Sequence, residues 1–166
     1  MKLIFKNVFC LLMILIIFVC CDHAKKEKID NTLFQLDVVD SENFVSIKIP
    51  DSVNFSFPDE TAKKEPYKYE DFNADGKQDI LVYLGACGTG GCMYGLFLNE
   101  YENYYTLAFL DYLKGAKFEK DESGFVIIKS FEEVAPYNPS KLNVSVYAFD
   151  KNTEYYKLDS IFVLQD

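Results

Sequence analysis

The chain has 166 residues, the usual length of one domain, with 17 basic against 26 acidic side chains and a net charge of −9. Every basic residue is Lys, so no Arg is present to read phosphates or guanines, and no basic stripe supports nucleic acid as a partner. A single His excludes two-His catalysis, and a hydrophobic content of 49% excludes full disorder.

The amino terminus carries Lys2 and Lys6, followed by an apolar run from Val8 to Cys21. That order predicts a secretory signal peptide. The run is shorter than the ~20 residues of a spanning helix; a short membrane anchor starting at Leu3 is the alternative. It ends Phe18-Val19-Cys20-Cys21-Asp22. This ending resembles the lipobox of bacterial lipoproteins, where a Cys after a small residue is lipidated and becomes the new N-terminus. The resemblance implies a signal peptide over 1–20, lipidation of Cys21, and anchorage to the inner or outer membrane of the envelope. The domain would then sit in the periplasm or outside the cell. Cys20 stands where the family has Gly, Ala or Ser, and Phe18 where it has Leu. Those departures keep Cys20 as the other candidate.

Residues 21–31 read as a flexible, polar tether. The only His, His23, falls in it as a solvated residue. Lys25, Lys26 and Lys28 can rest on anionic headgroups. Losing Lys2 and Lys6 leaves 15 of the 17 basic residues against 26 acids, about −11 for the mature chain. If Cys10 and Cys20 leave with the signal and Cys21 takes lipid, Cys87 and Cys92 remain. In an exported compartment that pair is expected as a disulfide.

Residues 32–166 read as a single domain, all-β or β-rich α+β. A small antiparallel sheet or sandwich of about nine or ten short strands is expected. The runs are Leu33 to Val39, Phe44 to Ile49, Val53 to Phe57, Ile80 to Leu84, Met93 to Leu98, Tyr104 to Leu110, Phe125 to Phe131, Val144 to Phe149 and Tyr155 to Val163. Alternation is clear at Val144, Val146 and Ala148, which share one face of a strand. Pro50, Pro58, Glu122-Ser123-Gly124, Pro136 to Pro139 and Asp150-Lys151-Asn152 punctuate them. A short helix is expected near Phe109 to Lys117.

Between two of these runs lies Asp71-Phe72-Asn73-Ala74-Asp75-Gly76-Lys77-Gln78-Asp79. Side-chain oxygens recur at alternate positions, and Gly76 allows a sharp bend. A hard cation such as Ca²⁺ takes six to eight oxygens from a curled loop of this kind. The place where an EF-hand puts its bidentate Glu holds Val82, inside an apolar strand, so an EF-hand is excluded. The loop resembles the calcium loops of FG-GAP or VCBS-type repeats, D-x-N-x-D-G-x-x-D before an apolar strand. The resemblance implies a structural Ca²⁺ held by Asp71, Asn73, Asp75, the Lys77 carbonyl and Asp79. Ala74 stands where that family often has Gly. An Asx-rich turn without metal is the alternative. The loop occurs once, so a full propeller is not expected.

Cys87-Gly88-Thr89-Gly90-Gly91-Cys92 follows, and its glycines allow positive φ at a hairpin tip. With the preceding loop it resembles a recurrent module of bacterial exported proteins. A phosphate loop lacks its Gly-Lys-Ser/Thr ending, and a zinc site lacks two ligands. Paired acids at Glu100/Glu102, Asp121/Glu122 and Glu132/Glu133 read as solvated surface. The tyrosines at 101, 104, 105, 112, 155 and 156 read as packing. No nucleophile–base set is available. These features predict a monomeric, non-enzymatic binding or scaffold lipoprotein with an envelope protein or glycan as partner. An envelope inhibitor of a basic enzyme such as lysozyme is one alternative; a metal-dependent hydrolase is another.

Overall fold

The computed structural model describes residues 32–57 and 63–165. The expected signal peptide, the lipidated Cys21, the tether and Pro58 lie outside them. Within the described residues the protein is all β, with ten antiparallel strands in two sheets and one 3-10 turn at Asp40–Glu42. No described helix is long and apolar enough to cross a membrane.

The first sheet contains β1 (Phe34–Val39), β2 (Phe44–Lys48), β3 (Glu65–Glu70), β4 (Asp79–Gly88), β5 (Gly91–Tyr101) and β6 (Tyr104–Leu113), in the order β2-β1-β6-β5-β4-β3. The second is a meander of β7 (Lys117–Lys120), β8 (Val126–Ala135), β9 (Asn138–Asp150) and β10 (Tyr155–Gln165). The first sheet curls until its edge strands approach, and the Val45 amide donates to the Lys64 carbonyl just before β3 at 2.9 Å. It is neither a closed barrel nor a propeller.

The curl explains the most apolar runs. Ile80, Val82, Leu84 and Phe97 face the inside of the curled sheet, where they meet Phe34, Leu36 and Val45. Their neighbours Leu81, Leu96 and Leu98 face the opposite way, against Val126, Ile128 and Tyr156 of the second sheet. Strands buried on both faces read as continuous apolar runs rather than alternating ones.

Two local expectations fail, and two unexpected strands form. No helix forms at Phe109 to Lys117: β6 runs on to Leu113, and β7 starts at Lys117. Phe109 packs between the sheets while Leu110 packs inside the curl, the two-residue period of a strand. Gly115, at φ 56°, makes the turn. Val53 to Phe57 is not a strand; the Val53 amide turns back to Pro50 O at 3.0 Å. Phe55 still packs edge-on against Phe34, with ring centroids 6.3 Å apart. Conversely, β3 and β7 form from the charged stretches EPYKYE and KFEK. Both are edge strands, where charge and Pro66 are tolerated and discourage further pairing.

Candidate functional site

The nine-residue acidic stretch joins β3 to β4. Phe72, its second residue, is fully buried and pins the loop to the core between the sheets. Around that anchor the backbone curls tightly. Ala74 sits at φ 58° and Gly76 at φ 86°, both left-handed. A left-handed backbone at 74 is one that Gly adopts more readily than the Ala present.

Asp71 organises the curl. Its Oδ1 accepts the Asp75 amide at 3.1 Å and its Oδ2 accepts the Gly76 amide at 3.0 Å. Asn73 Oδ1 also accepts the Asp75 amide, at 3.2 Å. Asp75 Oδ1 accepts the Lys77 amide at 2.8 Å, and its Oδ2 accepts the Asn73 carboxamide at 3.2 Å. The Lys77 ammonium donates to the Glu100 carbonyl at 2.8 Å and stands 3.9 Å from Asp75 Oδ2.

Asp79 is different. It opens β4 and is fully buried. One oxygen accepts the Phe72 amide at 2.8 Å, the other the Asn99 amide at 2.9 Å. Burial pushes its carboxyl up to about 6; the two amides oppose that rise, and the charges of Asp75 and Asp71 add to it.

The donor chemistry suits a hard cation: carboxylates and a carboxamide on a curled loop. Each carboxylate oxygen that accepts one amide keeps a second lone pair. Among the described residues, no group of three or more His, Cys, Asp or Glu side chains converges in metal-holding geometry. The loop brings Asp71, Asn73, Asp75 and Lys77 together through hydrogen bonds from amide N–H groups to side-chain oxygens, and sets Asp79 behind them in the core.

The Cys87 and Cys92 sulfurs are 2.08 Å apart, joined as a disulfide across the β4–β5 hairpin tip. The Tyr83 hydroxyl lies 3.0 Å from Cys87 Sγ. Of the three tip glycines, only Gly91 takes a positive φ, 108°. A Cβ there would stand 2.3 Å from the Leu113 carbonyl oxygen, whereas at Gly88 or Gly90 it would meet nothing within 4 Å. The tip therefore needs glycine at one position.

The tyrosines split between roles. Tyr156 is core, and Tyr112 is exposed. Tyr101 and Tyr104 pack on each other with centroids 5.0 Å apart. Two residues that hold the acidic loop had no local sign in the sequence. Asn99 supplies a backbone amide from β5, and Tyr156 donates its hydroxyl to the Phe72 carbonyl from β10. They act across 20 and 84 residues of chain, beyond any motif's reach.

The chain matches no protein-family model, no curated protein and no solved structure.

Proposed function

We propose that this protein is an exported, lipid-anchored envelope protein whose β domain carries a structural Ca²⁺ in the 71–79 loop and serves a non-enzymatic binding or scaffold role. The observation that supports the calcium reading is the buried Asp79 carboxylate, which accepts two backbone amides and is set behind a loop that Asp71 curls. A divalent cation would hold Asp71, Asp75 and Asp79 ionised together and offset their mutual repulsion. The anchoring reading rests on the lipobox-like Cys20-Cys21 alone.

Calorimetric titration with Ca²⁺ tests the first part. Saturable heat and a rise in melting temperature are expected, both lost in D75N; no heat and no thermal shift overturn it. Mass spectrometry of the membrane-extracted protein tests the second. A diacylglyceryl adduct lost in C21A, but kept in C20A, is expected. An unmodified, freely soluble mature chain overturns it.

A further inference from the structure

A second feature lies beside the acidic loop and needs no metal. Both sheets contribute to a cleft of about 280 Å³. Its apolar part is Leu98 of β5 with Phe125, just before β8, and Phe149 of β9, the two rings stacked with centroids 5.7 Å apart and planes 17° from parallel. Its polar part holds three carboxylates, Asp75, Glu100 and Glu154, against Lys151 in the lining and the Lys77 ammonium 3.9 Å from Asp75 Oδ2, which leaves the carboxylates in excess. Glu100 is steadied by the Thr106 hydroxyl, which donates to it at 2.8 Å.

Lys151 shows what this surface accepts. Its ammonium sits 4.4 Å above the Phe125 ring. Among the described residues it has no carboxylate partner within ion-pairing distance. The ring face attracts it through the aromatic quadrupole, strengthened by the surrounding negative charge. Lys151 is exposed, on a turn that stands without its side chain. Asp150 builds that turn, accepting the Asn152 amide at 2.9 Å on Oδ1 and the Thr153 amide at 3.2 Å on its carbonyl. The lysine is therefore a tethered and displaceable occupant.

We propose that the cleft formed by Phe125, Phe149, Asp75, Glu100 and Glu154 binds an organic ammonium group, and that Lys151 competes for the same aromatic face. Three carboxylates disfavour phosphates and other anions. The volume, at the lower edge of the range for small-molecule pockets, suits an alkylammonium chain. Two sources carry that chemistry: a free amine, or the lysine side chain of a basic protein. The proposal goes beyond the calcium reading and does not rest on it, although Asp75 borders both.

The test is a titration of the intact domain followed by NMR at the Phe125 and Phe149 rings, run with EDTA and again with Ca²⁺. The probes are butylammonium, tetralysine and the neutral isostere butanol. Saturable shifts are expected for the two ammonium probes and not for butanol. K151A should bind both at least about threefold tighter, and E100Q and F125L at least about threefold more weakly, the size of an exposed cation–π contact. Butylammonium matching tetralysine per ammonium group assigns a free amine; much tighter tetralysine binding assigns a protein side chain. K151Q repeats the gain should K151A melt early. Butanol binding as well as butylammonium, unchanged affinity in K151A and K151Q, or no saturable shift in any of the proteins would overturn the proposal. A failed calcium titration leaves it standing, because these readouts are taken in EDTA.

Discussion

The Tyr156 hydroxyl lies 2.8 Å from the Phe72 carbonyl oxygen, across 84 residues of chain. It is also 2.9 Å from the Val126 carbonyl, while the Val126 amide donates to Phe72 O at 3.0 Å. One phenol thus ties the acidic loop to β8 and β10 inside the core. Removing it leaves a buried carbonyl short of a donor. Y156F is expected to destabilise the domain by about 1–2 kcal/mol, read as a lower urea midpoint at unchanged m-value.

The hairpin tip separates two kinds of glycine. G91A forces a left-handed residue and a Cβ against the Leu113 carbonyl. A loss of about 2 kcal/mol or more in thermal or urea unfolding is expected. G90A meets open space and should change stability by less than about 0.5 kcal/mol.

The Cys87–Cys92 bridge closes a small ring, so its effect on the unfolded chain is modest. The double variant C87S/C92S should lose roughly 2 kcal/mol on the chain-entropy account. Thiol titration of the unfolded exported domain should find no free thiol at either position before reduction and both after it.

Tyr147 gives the domain a signature at high pH. Its hydroxyl donates to Asp111 Oδ2 at 3.0 Å. Burial first, then the Asp111 charge and this bond, push its phenol up to about 12 from 10.0. A folded-state value above the unfolded one means that the folded state holds the proton more tightly. The stabilisation is complete below pH 10 and is lost as pH rises toward 12. Melting temperature should fall across that window, and Y147F should flatten part of the slope. The more deeply buried Tyr156, raised further in the same direction, keeps some slope in that variant.

Sequence patterns reported what local chemistry determines. Ile80 to Leu84 reads as a buried strand because both its faces are covered, and the acidic loop reads as a curl because Asp71, Asn73 and Asp75, which bend its backbone, lie within it, whereas its ties to Asn99 and Tyr156 do not. The charged edges β3 and β7 stayed hidden because a strand with one open side needs no apolar period. Phe109 to Lys117 lacked a turn signal before Gly115, and only the core beneath it fixes the strand period. The ammonium cleft joins Asp75, Glu100, Phe125 and Glu154, which no window along the chain brings together.

The narrow junction between β1 and β6 sets how the domain would yield to a pull. Only two residue pairs bridge these strands, Phe34 with Tyr105 and Gln35 with Tyr104, against nine between β5 and β6. A few outlying contacts reinforce it, among them the Leu36 amide on the Asn103 carbonyl at 2.9 Å. Tension applied at Thr32 would load this seam before the long ladders behind it. The β1–β2 hairpin would peel away first, leaving the meander from β3 to β6 and the second sheet to bear the load. An optical-trap trace of the domain pulled from that end should show a small early rip ahead of the main unfolding event, so that the domain would lengthen under drag while its acidic loop and cleft stayed whole.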